Sequence, residues 1–392
     1  MASFTDRGRR PRGFTLIELL IALAIGSFGM AVAAYVAQVA VRQGGRGQEQ
    51  NQLGSSSQVV GRQLRNDLEL TGHGTSGAAG IDPGDPGLLS IAVATPAGWS
   101  AIPVVRLLNN LPATAIGGVN TLNNSDVLQL VVPNPSTALP LAVPLRRGTP
   151  ANAITNLANY SAAALPNCAP NPVLLLVADY GATTGAARSQ IVDPGAGSTL
   201  QFDVSQGANV MCVRISTYWV DQSFALRRSD YQPGISAVLN SGGVNVFVPG
   251  ATNSGEITAM GALDFQVALR LSAEVFGPLG TADTSWAYTA PANGAADAAL
   301  GTQTNWFEIR QVRFSIPLRA ARSVDEPGQT MLSAADELED HPPGTMIADL
   351  QAIDPNAVGR GFAMIRISSS QVLYNLRFFD QNLPALTPAE PY

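Results

Sequence analysis

Lysine is absent from the 392-residue chain, so all 23 basic residues are arginine. The chain has only two histidines, His73 and His341, and only two cysteines. It contains no HExxH, CxxC, G-x-S-x-G or Walker A motif. These motifs carry the chemistry of zinc proteases, thiol and zinc sites, serine hydrolases and P-loop nucleotide binding. The sequence therefore predicts neither an enzyme nor a metal or cofactor site.

Charged residues are also scarce, at 13% of the chain, whereas 46% of residues are hydrophobic and there are 38 glycines and 27 prolines. This composition indicates a loop-rich β domain rather than a helical bundle. The net charge is −6, and it becomes −9 when the arginine-rich first 13 residues are left out. An acidic remainder argues against nucleic acid as a partner.

Three weak site signals have simpler structural explanations. Gly72–Gly77 fit G-x-G-x-x-G, but they follow a helical pattern and not a strand, so the dinucleotide context fails. Asp82, Asp85 and the segment Asn123–Asp126 could ligate calcium, yet neither group has the twelve-residue loop with its terminal Glu, and turn formation is favoured. The tryptophans could line a carbohydrate or protein surface, but packing within the sheet is favoured. They include Trp219, Trp286 and Trp306.

One long apolar run stands near the start of the chain. From Phe14 to Val41 it holds a single charge, Glu18. The run exceeds the roughly 20 residues that a helix needs to cross a bilayer core. Four arginines and one acid precede it, so the chain after Val41 is expected outside the inner membrane. The run is too long for the apolar core of an ordinary secretory signal.

The segment GFTLIELLIALAIG resembles the class III signal of type IV prepilins and pseudopilins. The resemblance implies that a prepilin peptidase cuts after Gly13, that Phe14 becomes an N-methylated first residue, and that Glu18 becomes the fifth. The amine of an incoming subunit would then pair with Glu18 of its neighbour, because each charge is costly alone in hydrocarbon. The alternative is a plain membrane anchor with an acid at its helix N-terminus.

A second helical pattern follows the apolar run. Val60, Leu64 and Leu68 recur at four-residue spacing, which predicts an amphipathic helix with one buried face. Gly72 is a candidate helix stop. The glycines between the two patterns predict an interrupted helix from Phe14 to about Leu70. They are Gly44, Gly45 and Gly47. We therefore expect four parts: a leader (1–13), a transmembrane half-helix (14–41), an amphipathic half-helix (42–71) and a β-rich periplasmic or extracellular domain (72–392).

Beyond Gly72, short apolar runs alternate with Pro, Gly, Asn and Ser clusters. This pattern predicts a mainly antiparallel β domain. The predicted strands are Leu88–Val93, Asp126–Val132, Val173–Ala178, Val210–Val220, Phe224–Arg228, Leu263–Leu271, Phe307–Leu318 and Phe362–Phe379. Asp221-Gln222-Ser223 is expected to close a hairpin. The predicted long loops are Thr95–Ser125, Pro133–Pro172, Gly277–Thr304 and the acidic Ser323–Arg360. The whole chain is thus expected to be α+β, a long N-terminal helix packed on a β domain with long loops.

The segments VRISTYWVDQSFALRR, GALDFQVALRL, IRQVRFSIPLRAARS and VLYNLRFFD look like those of PilW-type minor pilins and PulJ-like pseudopilins. This resemblance implies a pilin-like fold and a structural subunit that takes part in priming, assembly or tip formation of a type IV pilus. Its partners would be prepilin peptidase, other major and minor pilins, the inner-membrane assembly machinery and membrane lipid. The alternatives are a type II secretion pseudopilin, a pilus-tip adhesin and a membrane-anchored enzyme.

The two cysteines, Cys168 and Cys212, could pair in an oxidising periplasm. The bond would close a loop of 45 residues, for which the chain-entropy model gives about 4 kcal/mol. The alternative is two separate thiols, with Cys212 buried in an apolar strand. The disulfide is the favoured interpretation.

Overall fold

The computed structural model describes residues 15–75, 77–94, 100–155, 174–180, 188–241, 244–271, 309–319 and 364–373. Several predictions lie outside these ranges. They are the loops Gly277–Thr304 and Ser323–Arg360, the tryptophans Trp286 and Trp306, and His341. Contacts divide the chain into two units, of which the first ends at Gln52 and the second begins at Leu53.

A single helix, α1, runs for 55 residues from Leu16 to Leu70. The predicted interruption at the glycines is wrong, because α1 continues through Gly44, Gly45 and Gly47. Glycine disfavours a helix by about 1 kcal/mol per residue but does not forbid it, and no proline is present to break the hydrogen-bond ladder. After Leu70 the chain turns, and Gly72 has a positive φ of 72° that favours glycine over other residues.

The last third of α1 carries the buried stripe that its periodicity predicts. Leu53, Val60, Leu64 and Leu68 are all buried and belong to the main hydrophobic core. Residues four apart lie on one face of a helix, so this face is the one that packs on the sheet. Gly61 lies on the same side, where an added Cβ would stand 3.2 Å from the side chain of Ile367.

Eighteen strands, two short α-helices and one 3-10 helix, Pro135–Thr137, follow within the described residues. The strands are β1 Ala78–Ile81, β2 Val93–Ala94, β3 Ser100–Pro103, β4 Val105–Leu111, β5 Ala115–Ile116, β6 Val119–Asn120, β7 Ser125–Pro133, β8 Leu139–Pro140, β9 Leu174–Asp179, β10 Arg188–Val192, β11 Asn209–Val220, β12 Ala225–Asp230, β13 Ala237–Ser241, β14 Val244–Val248, β15 Glu256–Met260, β16 Gln266–Leu271, β17 Ile309–Arg319 and β18 Met364–Val372. The short helices are α2 Pro86–Leu89 and α3 Ala151–Thr155.

The large sheet has eleven strands and is built around β11. β11 pairs antiparallel with β12, β7, β8 and β9. Among the described pairings only β1 with β10 is parallel. The β11–β12 hairpin confirms the predicted turn at Asp221-Gln222-Ser223. The predicted α+β architecture, a long N-terminal helix followed by a mainly antiparallel sheet domain, is confirmed.

Three smaller sheets accompany the large one in the described residues, and the smallest is formed by β5 and β6. Strands β16, β17 and β18 form a three-stranded antiparallel sheet, which joins the main core through residues such as Phe265 and Phe314. Strands β13 and β14 form a separate hairpin. Its buried residues Val246 and Val248 share a small cluster with Trp219. This burial agrees with the packing role expected for Trp219.

Two predictions in the first part of the domain are wrong. Leu88–Val93 is not a strand, because Asp85 caps the short helix α2 there and Pro86 occupies its first turn. Thr95–Ser125 is not one long loop, since it contains β3 to β6. β4 contains two asparagines just before its last residue, Leu111, and Asn110 has a positive φ of 47°. Residues typical of turns thus hide this strand in the sequence pattern. The loop expected at Pro133–Pro172 contains β8 and α3, and its residues after Thr155 lie outside the described ranges.

Candidate functional site

The start of α1 is closed by a reciprocal pair of side chains. The backbone N–H and the hydroxyl of Thr15 both donate to Oε2 of Glu18, each at 3.0 Å. The N–H of Glu18 in turn donates to Thr15 Oγ1 at 3.3 Å. This is a capping box, in which a Thr before the helix and a Glu at its third position satisfy each other's backbone donors. The segment TLIE encodes it locally.

The capping box places the one acid of the apolar run at the helix N-terminus, where the helix dipole favours negative charge. Glu18 is nevertheless exposed, so a cation from outside the chain can approach its carboxylate. Gly13 and Phe14, the predicted cleavage and methylation residues, lie outside the described residues. Both roles therefore stay predictions.

The next feature is the apolar surface of Leu16–Val41, in which no residue is buried. Large apolar side chains are exposed along its whole length, among them Leu16, Ile25, Phe28, Met30 and Val41. An exposed apolar surface of this size marks a membrane or protein contact. Within the described residues this helix is the one with the length and composition to cross a membrane. The arrangement fits membrane anchoring.

The other end of α1 is fastened to the sheet by a buried carboxylate. Asp67 is 1% exposed, and its Oδ2 accepts a hydrogen bond from the hydroxyl of Tyr218 at 2.5 Å. Arg214 Nη2 forms an ion pair with Asp67 Oδ1, and Arg228 Nε lies 3.7 Å from Oδ2. Arg228 also binds Asp230 at 3.0 Å. Side chains from β11 and β12 thus converge on one residue of the helix.

Charge and burial act together in this cluster. Burial, reinforced by the negative charge of Asp67, raises the pKa of Tyr218 well above its usual value. Tyr218 therefore stays protonated and can donate to Asp67. The guanidinium of Arg228 lies 5.9 Å from the centre of the Tyr218 ring, within the range of a cation–π contact. The cluster holds the helix against the sheet and has the composition of a structural anchor.

Asp67 is the functionally placed residue that the sequence interpretation missed. A signal for it was present. Asp67 stands three residues after Leu64, on the face that the apolar spacing assigns to the core. A charged residue at such a position implies a buried partner, since an unpaired buried charge is strongly disfavoured. The identity of that partner depends on the fold, because Tyr218 is 151 residues further along the chain.

The acidic residues weighed as calcium ligands have structural roles. Asp82 accepts from the N–H groups of Gly84 and Thr199 at 2.9 and 2.6 Å, and Asp85 accepts from Leu88 at 3.1 Å. The Gly84 contact is a turn and the Leu88 contact is a helix cap, which agrees with the expected local roles. The Thr199 contact is long-range, because Thr199 lies 117 residues after Asp82. The described part of the chain contains no group of three or more His, Cys, Asp or Glu suited to a metal ion.

Asp126 differs from its expected turn role. It is fully buried in β7, where Oδ1 accepts from the N–H of Asn110 at 2.8 Å and Oδ2 accepts from Val267 at 2.6 Å. Asp126 thus ties the large sheet to β16. The turn itself is formed by Asn124, whose φ is 57°.

Cys212 lies in β11, is buried, and is engaged in a disulfide bond. Cys168 lies outside the described residues. The pairing of these two cysteines therefore stays a prediction.

Comparison with known proteins supports the interpretation of the N-terminus. The family model for the prokaryotic N-terminal methylation motif matches residues 8–34. No match was found among curated proteins. Among solved structures, the chain is similar to a type IV-like pilin from Thermus thermophilus, with 15% identity, 52% of this chain and 84% of that chain covered, and a TM-score of 0.20. A TM-score this low does not establish a shared fold.

The matched motif contains Gly13, Phe14 and Glu18, which are the residues singled out above. It is followed in this chain by an exposed apolar helix and a mainly antiparallel sheet domain. Together these findings support a pilin-type structural subunit.

Proposed function

We propose that this protein is a type IV prepilin whose processed form is a minor subunit of a type IV pilus, of the PilW type. The observation that carries the proposal is the methylation motif at residues 8–34, which overlaps an apolar helix that starts at Leu16 and is capped by Thr15 and Glu18. In this proposal prepilin peptidase cuts after Gly13 and leaves N-methylated Phe14 as the first residue.

The mechanism of assembly follows from the charges at the helix start. Before assembly, Glu18 is satisfied by Thr15 of its own chain. In the filament, the positive amine of a neighbouring subunit's first residue would approach the exposed carboxylate. Opposite charges attract more strongly in lipid than in water, so this pair would set the axial position of one helix against the next. The apolar surface of Leu16–Val41 would supply most of the cohesion.

The sheet domain would face the periplasm during assembly and the cell surface afterwards. It would contact other major and minor pilins, either at the tip or in a priming complex with the inner-membrane machinery. The anchor at Asp67 supports this role because it joins the helix to the sheet through buried charge rather than through a mobile hinge.

Mass spectrometry of sheared surface filaments tests the proposal. All basic residues are arginine, and the next arginine after Phe14 is Arg42, so trypsin would release a 29-residue N-terminal peptide. We expect this peptide to begin with N-methylated Phe14. Finding it only in the cell envelope would point to a type II secretion pseudopilin or to a basal priming role. Finding only chains that begin before Gly13, in cells with active peptidase, would refute processing and leave a plain signal anchor.

Substitution separates processing from assembly. Gly13→Val should block cleavage, whereas Glu18→Val should leave membrane insertion intact and abolish recovery of the subunit in filaments. Thr15→Val is the matched control, since it removes one partner of the cap and keeps the carboxylate. Normal incorporation of Glu18→Val into filaments would contradict the assembly mechanism.

A further inference from the structure

The β13–β14 hairpin lies on one face of the large sheet without joining its strand pairing. Arg106, Gln129 and Thr217 are direct register partners on β4, β7 and β11, so they share that face. Arg106 Nη1 donates to the carbonyl of Asn245. Gln129 Oε1 accepts from the N–H of Phe247 at 2.6 Å, and Thr217 Oγ1 donates to the Phe247 carbonyl at 2.7 Å. One polar row of the sheet thus binds the backbone of the hairpin.

This polar row is enclosed. Arg106 is 2% exposed and Gln129 is 1% exposed. On the same face, the next row along the three strands consists of Leu108, Val127 and Trp219, which are buried with Val246 and Val248 of the hairpin. This second row therefore places apolar side chains beside the guanidinium of Arg106. Long polar side chains are placed here between the hairpin and a hydrophobic cluster.

The enclosed row has donors in excess of acceptors. Arg106 Nε, Gln129 Nε2 and Trp219 Nε1 are buried, and no hydrogen-bond acceptor reaches them among the described residues. The Asn245 carbonyl is the one protein acceptor that Arg106 has in the described ranges. No carboxylate there offsets its charge, and burial lowers the pKa of Arg106 to about 10. A buried charge without a counter-charge is strongly disfavoured, so the guanidinium needs a compensating negative group.

The chemistry of the site indicates which group that is. A water molecule would accept two of these hydrogen bonds, but it also brings two hydrogens that need acceptors, and it leaves the positive charge uncompensated. An anion needs donors alone and neutralises the guanidinium. A spherical ion also suits a position beside apolar side chains, where a polyatomic oxyanion would leave oxygens without donors.

We propose that a small inorganic anion of the halide class binds beneath the β13–β14 hairpin, between Arg106 Nε and Gln129 Nε2. It holds the hairpin on the sheet by neutralising the buried guanidinium. This site is independent of the processing motif and of the proposed pilus function.

Thermal unfolding of the full-length chain in detergent micelles tests the proposal. The probe is sodium bromide titrated against sodium gluconate at constant ionic strength. In the unsubstituted protein we expect Tm to rise with bromide and then to saturate, as a ligand of the folded state requires. Equal Tm values in bromide and gluconate would overturn the proposal.

Gln129→Glu is the discriminating variant. It keeps an oxygen for the N–H of Phe247 and places a second carboxylate oxygen beside Arg106, so the chain supplies its own anion. We expect the bromide response to disappear, with Tm in gluconate at or above that of the unsubstituted protein. Gln222→Glu is the matched control because it makes the same charge change at an exposed turn residue. It should keep the full bromide response.

Anomalous diffraction from crystals of the unsubstituted protein soaked in bromide tests directly whether an anion is bound. This test does not depend on whether Gln129→Glu folds. A bromide peak in contact with Arg106 Nε and Gln129 Nε2 is the expected result. A water molecule without anomalous signal at that position, or a carboxylate from the chain itself, would refute an anion site.

Discussion

The anchor of α1 on the sheet makes the sharpest prediction about stability. Asp67→Ala removes the acceptor of the buried Tyr218 hydroxyl and the partner of two guanidinium groups. Breaking a buried ion pair by deleting one partner costs about 3–5 kcal/mol. The Arg214 side chain is 39% exposed, and its pair with Asp67 is therefore weakened by solvent. We expect the lower end of that range, about 3 kcal/mol of unfolding free energy.

The isosteric change Asp67→Asn should cost less. The amide oxygen can still accept from Tyr218, so the loss is limited to the charge interactions with Arg214 and Arg228, about 1–2 kcal/mol. Glu69→Ala is the matched control, because Glu69 is an exposed acid on the same helix two residues later. Its removal should change stability by about 0.5 kcal/mol or less.

Urea unfolding of the processed chain in detergent micelles measures these differences. Trp219 is fully buried and supplies a fluorescence signal for the domain. The expected order of midpoints is unsubstituted protein, Glu69→Ala, Asp67→Asn and Asp67→Ala, from highest to lowest. If Asp67→Ala unfolds at the same urea concentration as Glu69→Ala, Asp67 does not hold the helix and the reasoning is wrong.

Three further predictions concern other parts of the domain. Gly54→Ala should stabilise the chain by about 0.5–1 kcal/mol, because the added Cβ meets nothing within 4 Å. Gly61→Leu should destabilise it by about 1–3 kcal/mol, because the larger side chain overpacks the core. Urea midpoints that shift in the same direction for both variants would contradict this. Burial, with nearby acids, raises the pKa of Tyr231 to about 12, so the free energy of unfolding should fall between pH 10 and 12. Tyr231→Phe should reduce this loss of stability at alkaline pH. An unchanged pH profile of the variant would contradict the prediction. If Cys168 pairs with Cys212, reduction or Cys168→Ser should each lower the free energy of unfolding by about 2–4 kcal/mol. A Cys168→Ser variant that is insensitive to dithiothreitol would support the pairing. No effect of either change would exclude it.

The outcomes of the sequence interpretation follow the range of the interactions involved. α1 was found because its signals are local: an apolar run and a four-residue spacing. The hairpin at Asp221 was found for the same reason. β3 to β6 were missed because the Pro, Gly and Asn residues in and between these strands give the segment the composition of a loop. Phe224 was equally hidden, since its positive φ of 60° occurs at a residue type that rarely adopts it.

The sequence by itself determined the features that depend on near neighbours along the chain. These are the methylation motif, the apolar helix that begins beside Glu18, the buried stripe ending at Leu68 and the β character of the domain. Only the tertiary structure decided which distant groups meet. Asp67 finds Tyr218 across 151 residues, and Arg106 is enclosed by a hairpin that begins more than a hundred residues later. Such contacts depend on strand order and register, which side-chain periodicity does not specify because it encodes faces and not partners.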